Sequence, residues 1–242
     1  MAAAGVALTA VLAWTAVAVF RPTTSCGCAL PPHLDHVDTT AYRWLAAIHS
    51  GDSATAWALL TQDAQRRRGD ADRFRAELPA LAARYGDSTG RWQVVDTRTQ
   101  GAGTPTEVFL VRVTTKDGVA AATGGLTVHS NATREDAGRI DPDLGEPLQI
   151  AAADSGARLA FPATVRVTNA EGRWLDFLGV PVAMPPANSS LLLRPVQDLG
   201  AGMYRLGNAN PDLAGSGLVV AILIRPDGRR AFGAVPVTFR SP

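Results

Sequence analysis

The longest hydrophobic stretch of the sequence lies at its beginning, from Ala2 to Phe20, where only Thr9 and Thr15 are polar. A helix of this length reaches about 28 Å, because each residue adds about 1.5 Å, and this is close to the thickness of a hydrocarbon core. Arg21 and Pro22 end the stretch, since proline cannot continue a helix without losing a hydrogen bond. The pattern predicts a transmembrane signal anchor over residues 1–21.

Two other interpretations of this segment stay open. The sequence Ala16-Val17-Ala18 suits a signal-peptidase site, although the basic segment that precedes most signal peptides is missing. Cys26 could instead carry a lipid, but Thr23, Thr24 and Ser25 precede it where lipoproteins usually have an aliphatic residue. All three interpretations place the chain from residue 21 onward outside the cytoplasm. The predicted anchor makes it a single-pass protein of a bacterial cell membrane.

Hydrophobic residues then recur with the period of a helix. Ala41, Trp44, Leu45 and Ile48 share one helical face, and Gly51 ends that helix. A second helix is predicted from residues 52–53 to the run Arg66-Arg67-Arg68. A third follows Asp70 and contains Pro79, where we expect a kink or a break.

From residue 91 the period changes to two, which predicts strands. Lys116-Asp117-Gly118 is typical of a hairpin turn, and Gly124-Gly125 of a bulge. Residues 158–242 contain several short alternating segments, among them a central strand at 218–224. The sequence therefore predicts an α+β protein divided as follows: 1–21 anchor; 22–38 tether with Pro and Cys; 39–130 α+β domain; 131–157 linker, with a possible short strand at 148–152; 158–242 β-sandwich.

Composition and motifs exclude several functional classes. The net charge is +1 and no basic stripe is present, which argues against nucleic-acid binding. Two cysteines are too few for a disulfide scaffold. The sequence has no G-x-S-x-G elbow, no P-loop, no dinucleotide glycine fingerprint and no H-E-x-x-H. We therefore expect no enzymatic activity and no cofactor; the preference for Ala and Arg suggests an actinobacterial source.

The helical segment from Tyr42 to Leu60, with its Gly51-Asp52 pair and the Ala-rich stretch ending in Leu59-Leu60, resembles the opening of exported NTF2-like domains. The resemblance covers about residues 39–129 and implies helices packed on a curved antiparallel sheet that forms a cone. Enzymes of that family use acid, base or His residues inside the cone. Anchored bacterial members are usually non-catalytic, so the resemblance favours binding.

The C-terminal part is similar to the small extracytoplasmic immunoglobulin-like domains of the YtkA/FixH and CopC-like group. The resemblance rests on Gly202-Met203-Tyr204, residues 213–220, Pro226-Asp227-Gly228 and a final strand ending at Phe239. CopC-like copper sites need histidines or clustered methionines. Residues 158–242 have no histidine and only Met184 and Met203, so the copper site does not carry over.

One cluster of metal-ligand residue types lies in the tether. Cys26, Cys28, His33 and His36 provide four soft or borderline ligands within eleven residues, a set that suits Cu(I) or Zn(II). The simpler interpretation is a spacer whose cysteines are oxidised or paired between chains. Copper or zinc handling is therefore an alternative function.

The predicted cone supplies a second set of candidates: Tyr42, Trp44, His49, Asp63 and Trp92. The tryptophans are most simply core residues, and a lone histidine needs an oriented partner to act as a base. A small-ligand carrier or an enzyme that uses these residues is the second alternative. The leading hypothesis is a non-catalytic, membrane-anchored binding or assembly protein of the cell envelope, with an envelope protein as its partner.

Overall fold

The computed structural model describes residues 35–86, 90–99, 105–130, 138–153, 162–172, 175–181, 191–207 and 214–239. The predicted anchor at 1–21 and residues 22–34 of the predicted tether lie outside this part of the chain. Within it, no helix combines the length and the apolar character needed to cross a membrane. The expected α+β class is confirmed as a mixture of helices and mostly antiparallel strands.

Four helices precede twelve strands in the described residues. The helices are α1 (Asp35–Ser50), α2 (Ser53–Ala58), α3 (Gln62–Arg68) and α4 (Ala71–Tyr85). The strands are β1 (Arg91–Thr99), β2 (Pro105–Lys116), β3 (Val119–His129), β4 (Arg139–Asp141), β5 (Gln149–Ala152), β6 (Ala163–Thr168), β7 (Leu175–Pro181), β8 (Leu191–Leu192), β9 (Val196–Gly200), β10 (Met203–Leu206), β11 (Gly215–Ile224) and β12 (Arg230–Phe239).

The strands form three four-stranded sheets that stack with the helices as layers. The first sheet, in the order β1-β2-β3-β4, packs one face on the helices. The second has the order β5-β6-β10-β9, and the third the order β12-β11-β7-β8. These two face each other across a core that includes Val165, Phe177 and Val219. The third sheet also packs its other face on the first sheet.

The central strands of the stack are buried on both faces, and their side chains alternate between two cores. In β2, Val108 and Leu110 face the helices, whereas Phe109 and Val111 face the third sheet. Strand β11 alternates in the same way between the second sheet and the first. Successive side chains of a strand point to opposite faces. Strands β2 and β11 therefore both contribute to the core between the first and third sheets, which joins the helical part to the sandwich part.

The predicted hairpin and bulge are both present. Asp117 and Gly118 connect β2 to β3 and both have positive φ, at 52° and 76°, as a tight two-residue hairpin turn requires. The β2–β3 register shifts between the pairs Arg112–Gly124 and Val113–Ala122. Thr123 is therefore the extra residue, immediately before the predicted glycine pair.

Three details of the helical region differ from the prediction. Helix α1 begins at Asp35, so the last four residues of the predicted tether are helical. Helix α4 continues through Pro79 without a break. The single helix expected from residue 52 or 53 to Arg68 is two helices, since Leu60 forms a parallel bridge with Ile140 and the Thr61 hydroxyl accepts a hydrogen bond from the Ala64 amide to begin α3.

The segment 131–157, expected as a linker, contains two strands in its described residues. Strand β4 completes the first sheet by pairing with β3, and β5 begins the second sheet by pairing with β6. The short strand anticipated at 148–152 corresponds to β5. The residues between β4 and β5 are described outside the strands, and residues 145–148 among them lie beside β12.

The arginine run at the end of α3 fixes this helix to the segment after β4. The Arg67 guanidinium donates to Asp141 at 2.7 Å and to Asp143 at 2.9 Å, and Arg68 pairs with Asp143 and Glu77. Burial lowers the pKa of Arg67, but the hydrogen bonds to Asp143 and Asp141 outweigh it and raise the pKa above its ordinary value. The paired carboxylates make Arg67 and Arg68 structural residues of the fold.

Candidate functional site

A cleft of about 270 Å³ opens at the rim of the contact between the first and third sheets. One wall is formed by the end of α4 and by β3, and the other by β12 and the segment before β5. Its lining residues are mostly small or apolar: Arg84, Ala122, Thr123, Gly124, Leu144, Gly145, Pro147, Leu148, Phe232, Gly233 and Ala234.

The floor of the cleft depends on glycines that let neighbouring elements approach closely. A Cβ atom added to Gly124 would lie 2.7 Å from the Tyr85 ring, and one added to Gly233 would lie 2.4 Å from the Leu148 carbonyl oxygen. Both distances are far shorter than a van der Waals contact. A larger side chain at either position would therefore force the neighbouring elements apart and deform the cleft.

The end of α4 shapes the first wall through Tyr85. Its hydroxyl donates a 2.7 Å hydrogen bond to the Gly125 carbonyl oxygen, and its own carbonyl accepts bonds from the Thr123 hydroxyl and from Nε of Arg112. Because Tyr85 is fully buried, burial raises the pKa of its hydroxyl well above the ordinary value. Tyr85 therefore stays neutral and holds the helix end against β3.

The second wall is fixed by main-chain hydrogen bonds and by an ion pair behind it. The Leu148 amide donates to the Phe232 carbonyl, and the Gly145 amide donates to the Arg230 carbonyl, both at 3.1 Å. The buried Arg230 guanidinium reaches across to the first sheet, where Nε lies 2.6 Å from the Asp96 carboxylate and a terminal nitrogen lies 3.2 Å from that of Glu107. The two parts of the protein thus meet with matched charge as well as apolar contact.

The polar chemistry of the cleft is limited to two side chains. Arg84 is exposed at the rim, and within the described ranges it forms no ion pair. Thr123 already donates its hydroxyl proton to the Tyr85 carbonyl. A guanidinium is a permanent cation with donors only, so this lining suits an apolar group that carries a negative charge nearby.

Three of the five cone candidates lie together: Trp44 and Trp92 in a filled core, and Tyr42 at its exposed edge. Trp44 and Trp92 are fully buried and both contact Tyr85, with ring centroids 5.1 Å and 5.8 Å away. Tyr42 is partly exposed, and its hydroxyl accepts a long 3.4 Å hydrogen bond from the Trp92 amide. The buried Arg112 guanidinium lies over the rings of Trp92 and Tyr42.

The other two cone candidates are on the surface and apart from this aromatic group. His49 is exposed in the last turn of α1. Asp63 is exposed in the first turn of α3, where it pairs with Arg66 of the same helix. The structure therefore brings together Tyr42, Trp44 and Trp92 but not His49 or Asp63.

Three of the metal-site candidates, Cys26, Cys28 and His33, lie outside the described residues. His36 falls in the first turn of α1, where the structure describes the backbone alone. In the described part of the chain, no group of three or more His, Cys, Asp and Glu residues is placed to hold a metal ion. The cluster of Cys26, Cys28, His33 and His36 thus stays a prediction from the sequence.

No sequence pattern indicates that the residues lining the cleft form a site. Arg84 and Phe232 belong to no motif, and the glycine pair at 124–125 indicates a bulge and not a binding site. The one available signal was the concentration of small residues from Ala120 to Gly125 in an otherwise β-branched and aromatic sheet. No family model, no curated protein and no solved structure matches this chain.

Proposed function

We propose that the protein is a non-catalytic binding or assembly protein of the bacterial cell envelope, anchored by residues 1–21, whose cleft at the sheet junction binds another envelope protein. In this proposal residues 35–141 form an NTF2-like domain and residues 149–239 an immunoglobulin-like sandwich. The order of helices, antiparallel sheet and two facing sheets supports that assignment. The apolar cleft between them is the observation that carries the proposal.

The chemistry of the cleft favours binding over catalysis. Its two polar side chains are a guanidinium, which cannot act as a base near neutral pH, and a hydroxyl whose proton is already donated. A nucleophile would need a base within hydrogen-bond reach, which these two groups do not provide for each other. Apolar walls with one charge at the rim instead resemble a recognition site, where burial supplies affinity and the charge supplies orientation.

The close packing between the first and third sheets supports the same function. Phe109 of the first sheet and Phe232 of the third are in edge contact at 6.1 Å, beside the Arg230–Asp96 pair. The cleft walls are therefore held by a packed core and need little ordering when a partner binds. A preformed site loses less conformational entropy on binding than a flexible one.

The proposal is tested by photo-crosslinking of the full chain in its native membrane. The photoreactive residue p-benzoylphenylalanine replaces Pro147, which is exposed and lines the cleft, or Leu199, an exposed apolar residue of β9 outside the cleft. We expect one discrete adduct with a protein from position 147 and none of that mass from position 199. Equal labelling from both positions, or no adduct from position 147, would contradict the proposal.

A further inference from the structure

The backbone of β12 presents an open edge inside the cleft. Strand β12 is the outer strand of the third sheet and pairs only with β11 among the described strands. The Phe232 carbonyl points away from β11, since it accepts the Leu148 amide. Strand geometry alternates with a period of two, so the amide and carbonyl of Ala234 point to that same side.

The position of proline supports this assignment of direction. Pro236 lies opposite Leu218 of β11 without a bulge between them, two residues beyond Ala234. A proline has no amide hydrogen, and in a paired strand it is tolerated where the missing donor would face outward. Residues 232, 234 and 236 therefore all direct their backbone polar groups away from β11.

The chain segment beside this edge makes its last main-chain hydrogen bond to β12 at Phe232. Residues 145–148 follow β12 from Arg230 to Phe232. The chain then forms β5, which still lies near β12 but pairs with β6, where Gln149 is opposite Thr168. In the described part of the chain no main-chain partner continues along β12 at Ala234. An added strand could take the next place on the edge and continue the pairing that Leu148 begins.

We propose, on the basis of the binding function proposed above, that the cleft takes an extended peptide segment of the partner protein. The segment adds to the edge of β12 at Ala234, inserts one apolar side chain between β3 and β12, and places a carboxylate against Arg84. Addition of a strand to a sheet edge takes its affinity from main-chain hydrogen bonds and its specificity from side-chain pockets.

The charge of Arg84 and the backbone amide of Ala234 favour a peptide over other ligands of the cleft. Arg84 is the only charged residue among those that line the cleft, and no acidic residue opposes it there. An acidic side chain or a free C-terminal carboxylate supplies the matching charge. A fatty acid would match the charge and the apolar walls as well, but it would leave the amide of Ala234 without an acceptor, which a peptide carbonyl provides.

The test uses the full chain in lipid nanodiscs and a displayed library of random peptides of about eight residues, long enough to form one added strand. Enriched peptides are expected to combine an apolar residue with an acidic one or with a free terminal carboxylate. We expect Arg84→Glu to weaken their binding about tenfold or more, because it replaces a charge-assisted hydrogen bond with repulsion. Arg84→Lys should keep most of the affinity, and Arg73→Glu, at an exposed position of the same helix, should leave it unchanged.

The backbone contact is tested separately by Ala234→Pro. This variant removes the outward amide at a position that does not bond to β11, so we expect the fold to persist and peptide binding to fall about tenfold. Thr238→Pro removes the equivalent amide beyond Pro236 and serves as the matched control. Circular dichroism and thermal unfolding of each variant verify that the protein remains folded.

Three results would overturn the peptide inference. The first is a library that yields no peptide whose binding depends on the cleft. The second is a set of enriched peptides that bind the Arg84→Glu and Ala234→Pro variants as well as they bind the unmodified protein. The third is binding of the enriched peptides only at sites other than the cleft. The binding function has its own test, because a protein adduct from position 147 can be obtained whatever the library gives. An adduct with a lipid at that position would contradict both the peptide inference and the envelope-protein partner.

Discussion

The Arg230 guanidinium lies 2.6 Å from the Asp96 carboxylate, across the boundary between the sandwich part and the helical part of the protein. The Arg230 side chain is 4% exposed, and its two carboxylate partners, Asp96 and Glu107, are each 16% exposed. Phe109 lies beneath the guanidinium at 6.0 Å. This group ties together the walls on which the proposed cleft depends.

Replacing Arg230 by Met is expected to lower the free energy of unfolding by about 3 kcal/mol, because two largely buried carboxylates lose their counter-ion. The measurement is urea denaturation of the full chain in micelles, followed by tryptophan fluorescence. A triple variant that adds Asp96→Asn and Glu107→Gln removes the uncompensated charges and should recover most of the loss. An unchanged stability in the single variant would show that the ion group does not hold the junction.

Gly125 lies where the aromatic side chains of the two parts meet. A Cβ atom there would lie 2.9 Å from the Phe232 ring and 3.1 Å from the Phe109 ring. Gly125→Ala should therefore lower the free energy of unfolding by about 1–3 kcal/mol through overpacking. Ala121→Val, at an exposed position of the same strand, is the control and should change stability by no more than about 0.5 kcal/mol. Equal effects of both changes in denaturant titrations would contradict this packing.

Tyr85 predicts a loss of stability at alkaline pH. Its folded-state pKa is raised above the ordinary 10.0, so the stabilisation it gives is complete below pH 10 and decreases as the pH rises above that value. Tyr85→Phe should cost about 1–2 kcal/mol at pH 7, because the Gly125 carbonyl loses its donor. The free energy of unfolding of the variant should also depend less steeply on pH between pH 10 and about 11. Parallel pH profiles of the two proteins in denaturant titrations would contradict the assigned role.

The cysteine and histidine cluster of the tether gives a direct test of the metal alternative. The reduced full chain is titrated with Cu(I) and Zn(II) against a competing chelator, beside a Cys26→Ser/Cys28→Ser variant. We expect no difference between the two, because the Pro-containing tether that the sequence predicts would offer few groups to orient metal ligands. Tight one-to-one binding that the variant loses would instead make metal handling the leading function.

Elements fixed by neighbouring residues could be predicted from the sequence. The turn at Asp117-Gly118 needs two residues that tolerate positive φ, and that requirement is visible in the sequence itself. The division between α2 and α3 could not be predicted in this way. It depends on the pairing of Leu60 with Ile140, which lies 80 positions later and in a segment that local pattern assigned to a linker.

The cleft could not be predicted from the sequence for a related reason. Arg84, Leu148 and Phe232 come from three distant parts of the chain, and each is an ordinary residue of its own element. Only the stacking of the first and third sheets places them around one cleft. Trp44 and Trp92, in contrast, are recognisable in the sequence as large aromatic residues, and both are buried in the core, where most such residues lie.

Filling the cleft tests the central claim most directly. Ala122 is half-buried in the cleft wall, and Ala122→Phe is introduced into the chain that carries the photoreactive residue at position 147. If the cleft is the binding site, the protein adduct from position 147 disappears while the thermal unfolding of the variant remains a single transition. An adduct of unchanged yield in the filled, folded variant would show that the partner binds elsewhere.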